Sequence, residues 1–129
     1  MAIAALVTWV ITALGGFVML ARWISGGGHR PGSGSRLVPG VVFGHFGLAA
    51  IGLVVWIIYV AVRTTALAWT GFALLVPVAL LGFTMFARWM TSRRTEAAES
   101  KFPVPIVLGH GALAATTLVL ALLAALGVG

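Results

Sequence analysis

Four uninterrupted apolar stretches dominate this chain, roughly Ile3 to Ile24, Leu37 to Val62, Ala66 to Met90 and Val104 to Val128. Each exceeds the ~20 residues that a helix needs to cross the hydrocarbon core of a bilayer. Within that core every backbone N–H and C=O must find a partner inside the protein, and an α-helix pairs them within its own segment. The stretches therefore predict an all-α membrane protein with four transmembrane helices. Of the 129 residues 61% are hydrophobic and only 8% are charged, whereas a soluble domain carries about a quarter charged residues. Almost nothing remains for an extramembrane domain, so residues 1–129 read as a single transmembrane domain. The first stretch has no basic residue before it and ends in Ala21, Arg22, Trp23, which reads as a retained helix and not as a signal peptide.

The sparse charge is unevenly placed. Arg22, Arg30, Arg36, Arg88, Arg93, Arg94 and Lys101 lie in or beside the first and third loops, and Arg63 alone serves the second. The positive-inside rule puts the two basic loops in the cytoplasm and both termini outside, an N-out/C-out arrangement. The net charge of +6 then points to anionic lipid headgroups of the inner leaflet as its partner, and not to nucleic acid. The Ala-, Gly- and Val-rich composition and the preference for Arg over Lys suggest a GC-rich bacterial genome. The expected location is a bacterial plasma (inner) membrane, with the chain multi-pass.

Self-comparison reveals a duplication. Gly16, Phe17, Val18, Met19, Leu20, Ala21, Arg22, Trp23 returns as Gly82, Phe83, Thr84, Met85, Phe86, Ala87, Arg88, Trp89, with six of the eight positions identical. Gly44, His45, Phe46, Gly47, Leu48, Ala49, Ala50 returns as Gly109, His110, Gly111, Ala112, Leu113, Ala114, Ala115, so the two blocks are offset by 66 and 65 residues. The reading is two tandem helical hairpins, repeat 1 over residues 1–64 and repeat 2 over residues 65–129. An even number of spans per copy makes them parallel repeats, related by a pseudo-two-fold axis along the membrane normal.

Missing residue types exclude whole classes of chemistry. The chain has no Cys, which removes disulfides, thiolate metal sites, iron–sulfur clusters and covalently attached haem. It has no Asp, and its two carboxylates, Glu96 and Glu99, fall in the third loop, leaving no intramembrane acid to relay protons. Paired-carboxylate hydrolysis, a Ser-His-Asp triad and a phosphate-cradling loop all lack their residues. No catalytic residue is assigned, and the chain is not expected to be a complete enzyme alone.

What remains inside the membrane is a repeat-related pair, His45 and His110. Each lies about two turns into its helix, roughly 10 Å from the cytoplasmic interface. Ionisable groups at that depth are functional candidates, and the repeat places these two at equal height. Small residues follow on the same helix faces: Ala49 and Gly52 after His45, and Ala114, Thr117 and Ala121 after His110. They suggest a slot for a flat ligand. Arg22 and Arg88 stand nearer the cytoplasm, as partners for anionic groups. A b-type haem meets these requirements, with His45 and His110 as axial ligands to the iron and Arg22 and Arg88 pairing with the propionates. In general layout the arrangement is similar to membrane cytochrome b subunits and to the haem-carrying anchors of succinate dehydrogenases.

Other readings fit the same residues. A quinone carbonyl takes a hydrogen bond from His or Arg, and two His with Met19 and Met85 suit copper by ligand softness. Alternatively the Gly-His pairs simply tie helices together, which makes the chain a non-catalytic accessory subunit of a larger membrane assembly. An oligomeric channel or small transporter with a His-lined constriction is the weakest reading. The redox-subunit and accessory-subunit readings imply a partner membrane protein, and the channel reading a homo-oligomer. Elsewhere the first loop reads as a flexible Gly/Ser linker with a solvated His29, and Thr95 to Ser100 as a continuation of the third helix. Trp23 and Trp89 read as interfacial anchors, and Trp9, Trp56, Tyr59 and Trp69 as part of the outer aromatic belt or the lipid face.

Overall fold

In the computed structural model, which describes residues 1–129, the chain is all-helical: α1 (Ala2–Ser25), α2 (Pro39–Val62), α3 (Thr65–Ser92) and α4 (Val104–Ala125), with one turn of 3-10 helix at Ala98–Lys101. There are no strands, and each of the four helices is long and apolar enough to span a membrane. Prolines mark two of the starts: Pro39 opens α2, and Pro103 and Pro105 open α4. At these positions the missing N–H has no intrahelical partner to lose.

The turn between α2 and α3 is only Arg63 and Thr64. Arg63 adopts a left-handed conformation (φ 58°), the sole non-glycine to do so, and its N–H donates to the Tyr59 carbonyl at 2.7 Å. A Cβ in this region is strained, which is why glycine usually closes helices this way. Arg63→Gly is expected to raise stability by about 0.5 kcal/mol; a thermal midpoint in detergent that fails to rise would count against this account of the turn.

Helix packing pairs α2 with α3 and α1 with α4 most extensively, α3 with α4 less so, and α1 with α2 least. The α1/α3 and α2/α4 pairs lie across the diagonals of the bundle, with no close backbone approach. The Met1 amino group donates to the Gly129 carbonyl at 2.9 Å, and the Trp56 indole N–H donates to the Ala2 carbonyl at 3.1 Å. Both chain ends and the Arg63 turn therefore share one end of the bundle, and the two long basic loops share the other.

The interior has two apolar layers. The terminal-end layer holds Trp9, Trp56, Tyr59, Leu75 and Val78 among small alanines. The loop-end layer holds Trp23, Leu37, Val42, Trp89, Phe102 and Val107, with Met19 and Met85 packed against them. These aromatics correct the belt assignment: Trp56 is fully buried, Trp9, Trp23 and Trp89 nearly so, and only Trp69 is exposed as expected. Glycine makes the difference, because a Cβ on Gly71 would fall 2.7 Å from Cε3 of Trp56 and one on Gly52 would fall 3.1 Å from the Trp9 ring. Gly71→Ala is accordingly expected to lose about 1–2 kcal/mol despite alanine's better helix propensity. The same denaturation measurement checks it, and a stabilised variant would show that the indole has room to move.

The loops also differ from expectation. The first is held at several points: the Trp23 indole N–H donates to Ser35 Oγ at 3.0 Å, and the Ser33 hydroxyl to the Gly28 carbonyl at 3.0 Å. Gly28 lies flat against the Trp23 indole, where any Cβ would collide with the ring. His29 is half-buried with its ring edge toward Trp23, and is not a solvated loop residue. In the third loop α3 stops at Ser92, and the helix formers that follow make only the separate turn at Ala98–Lys101. Glu99, within that turn, is completely buried.

Candidate functional site: a histidine pair across the bundle

Between the two apolar layers, His45 of α2 and His110 of α4 face each other across a diagonal, their ring centres 6.3 Å apart and their planes inclined by 56°. Each is half-buried. His45 Nδ1 lies 2.9 Å from the carbonyl of Val78 on α3, and His110 Nδ1 lies 2.8 Å from the carbonyl of Thr12 on α1. A carbonyl only accepts, so each Nδ1 carries its proton and donates it. In the neutral imidazole this leaves a lone pair on Nε2 and no proton there.

The two acceptors stand 66 residues apart in the chain, as do the glycines that seat the rings. A Cβ on Gly16 would stand 3.1 Å from Cε1 of His110, and one on Gly82 would stand 3.3 Å from Cε1 of His45. A side chain at either position would crowd the ring and require it to give by a few tenths of an ångström. The structure thus brings the two predicted histidines together and orients each through a neighbouring helix.

The predicted arginines are placed otherwise. Arg22 and Arg88 are exposed, and Nη1 of Arg88 donates to the Arg36 carbonyl at 3.2 Å. Gly16, against the His110 ring, precedes Arg22 by six residues, about 9 Å along the helix axis. The inward positions at that end belong to Trp23 and Trp89 instead. The small residues expected to line a slot are largely used in packing: Gly52 receives the Trp9 ring, Ala121 is buried in the apolar layer, and the Thr117 hydroxyl lies 2.8 Å from that of Thr8. Met19 and Met85 pack into the loop-end layer, as ordinary core methionines do.

Sequence reasoning passed over Glu99. Its carboxylate accepts from the backbone N–H of Arg36 at 2.7 Å and from the hydroxyls of Ser92 and Ser35, each at 2.9 Å. Burial pushes its pKa up, but the N–H of Arg36, its own backbone N–H and the hydroxyls of Ser35 and Ser92 outweigh this and hold it below the ordinary 4.5. The group is an anionic clasp joining the two basic loops. Two of its partners, Arg36 and Ser35, lie 63 and 64 residues away in the first loop, so no local motif announces it.

No family model, curated protein or solved structure matches this chain.

Proposed function

We propose that the chain is a small membrane subunit that holds one b-type haem between His45 and His110 and passes electrons within a membrane complex. The observation that carries this reading is the pair itself: two imidazoles whose centres are 6.3 Å apart, each with Nδ1–H committed to a backbone carbonyl. A metal about 2 Å from each Nε2 would space two imidazoles by about 6 Å. A carbonyl accepting from the other ring nitrogen is the usual way a protein fixes the tautomer and orientation of a metal-binding histidine. Gly16 and Gly82 are the positions at which α1 and α3 come closest to the two rings.

When bound, the haem supplies a one-electron couple. The protein's residues supply its position: the carbonyls of Thr12 and Val78 hold the rings, and the two tryptophan layers keep water from both ends of the site. The same tautomer argument weighs against a quinone, because a neutral Nε2 has no proton to give to a quinone carbonyl. The exposed Arg22 and Arg88 reach the propionates only by swinging toward the bundle axis, so their role is secondary to that of the histidines.

The proposal includes the finer architecture. The equivalence of Thr12 with Val78 and of Gly16 with Gly82, and the matching α1/α4 and α2/α3 packing, support two tandem parallel hairpins about a pseudo-two-fold axis. The seven exposed cations at the loop end support a cytoplasmic position against anionic headgroups, with N-out/C-out topology in a bacterial inner membrane.

One set of observations favours the accessory-subunit reading, in which the histidines only tie helices. Their Nδ1 bonds and glycine seats are complete without any ligand. An oxidised-minus-reduced absorption spectrum of the detergent-purified protein, expressed with haem in excess, separates the two. A reduced α-band of b-type haem supports the redox subunit; a flat spectrum would sink it and leave the helix-tying role in front.

A further inference from the structure

Two tryptophans 66 residues apart, Trp23 and Trp89, stand in the loop-end layer, and both are almost fully buried. The Trp23 indole N–H has its acceptor in Ser35 Oγ at 3.0 Å. The Trp89 indole N–H has none. The nearby hydroxyls in sequence are turned elsewhere: Ser92 to Glu99, Thr95 to the Ser92 carbonyl and Ser100 to the Ala97 carbonyl. An indole nitrogen only donates, and a buried donor without an acceptor is costly. This one calls for an oxygen from outside the chain.

The surroundings of the ring say what carries that oxygen. Trp89 lies in the last turn of α3, at the height where a spanning helix meets headgroups. Arg93, one turn further on and exposed, holds its guanidinium carbon 5.3 Å from the centre of the Trp89 ring. On the membrane side Phe86 packs against the same indole with ring centres 5.7 Å apart, and Phe86 and Met90 are both exposed toward lipid. One ring thus borders a cation and an apolar lipid-facing surface. Across residues 93–101 the cations Arg93, Arg94 and Lys101 have only Glu96 as a free carboxylate, because Glu99 is buried in its clasp.

We propose that Trp89 and Arg93 form a headgroup site for one anionic phospholipid. The indole N–H donates to one non-bridging oxygen of the phosphodiester. Arg93 lifts from the ring face and donates to the other, a charge-assisted bond, while the acyl chains run along Phe86 and Met90. The surplus of cations selects a headgroup that carries no ammonium of its own. The inference rests on the reading that the loop end meets anionic headgroups and is independent of the haem.

The test is a titration of the detergent-purified full chain with short-chain phosphatidylglycerol. Binding is read from the indole proton–nitrogen NMR cross-peak of Trp89, assigned by its disappearance in Trp89→Phe, and from lipid retention in native mass spectrometry. The Trp89 peak should move downfield and saturate while that of Trp23 stays. Arg93→Gln and Trp89→Phe should each bind about tenfold more weakly. Arg30→Gln, which removes the same charge from the first loop, should change binding by less than about twofold. If Trp89→Phe does not fold, Arg93→Gln decides, since that side chain is exposed: weaker binding supports the site, and wild-type binding overturns it. Inorganic phosphate at equal concentration should leave the peak in place, and an equal shift would overturn the lipid as occupant. A Trp89 peak that never moves, or an Arg30→Gln variant weakened as much as Arg93→Gln, overturns the site while leaving the headgroup reading intact. Phosphatidylglycerol retained no better than phosphatidylcholine overturns both.

Discussion

His45→Ala and His110→Ala should each abolish the reduced α-band of the purified protein. The two rings are the only paired nitrogen donors in the bundle interior, and they come from helices that do not otherwise touch closely. No neighbouring group can substitute: the nearest polar atoms are the carbonyls already bound to Nδ1, and no acid lies within the spans. Loss of a single orienting partner typically lowers metal affinity about 10–100-fold, and loss of the ligand itself should cost more. Stability should change far less, because a hydrogen bond between helices within a bilayer is worth only about 0.6 kcal/mol on average. This mismatch gives the experiment its force. Under the helix-tying reading the variants lose that small increment of stability and there is no spectrum to lose. A wild-type band that persists in both variants would place the haem elsewhere.

The second large effect belongs to Glu99. Removing its carboxylate in Glu99→Ala leaves the Arg36 N–H and the Ser35 and Ser92 hydroxyls without their acceptor inside a closed pocket. The expected loss is about 3 kcal/mol, with the first loop freed from the third. Limited trypsin digestion reads this directly at Arg36, which lies in the loop before Leu37, whereas the Arg30–Pro31 bond resists trypsin: cleavage after Arg36 should accelerate well beyond that of the wild type. Equal digestion rates would show that Gly28 and Trp23 alone hold the loop. A pH dependence follows with a definite sign. Because the folded-state pKa lies below the ordinary 4.5, the clasp contributes fully above that value and is lost as pH falls through the depressed one. The wild type should therefore weaken in acid below about pH 4.5, and Glu99→Gln, which has no such proton to gain, should not share that loss.

Some features of this molecule were legible because they are local. A run of ~20 apolar residues closes its own hydrogen bonds whatever its neighbours do, so four helices followed from four runs. The duplicated Gly-His blocks announced two related imidazoles at one depth. The tryptophans misled for the same reason: Trp9 and Trp56 carry the composition of an aromatic belt, and whether a ring turns to lipid or inward depends on a glycine facing it from another helix. Gly71, which admits the Trp56 ring, lies 15 residues further along the chain. The Gly/Ser texture of the first loop suggested a free linker, yet the loop is fastened through Ser35 to a carboxylate 64 residues away.

The sequence by itself determined the helices, their number, the end of the bundle that carries the charge and the height of the two histidines along their helices. Backbone pairing in lipid and the cost of charge there act residue by residue. Only the tertiary structure decided that the rings meet across a diagonal, that Thr12 and Val78 set their tautomers, and that tryptophans rather than arginines close the loop end. Those outcomes rest on contacts between residues as many as 98 positions apart. Packing between apolar helices in an apolar medium is settled by the shape of the facing surfaces, which no single stretch of sequence contains.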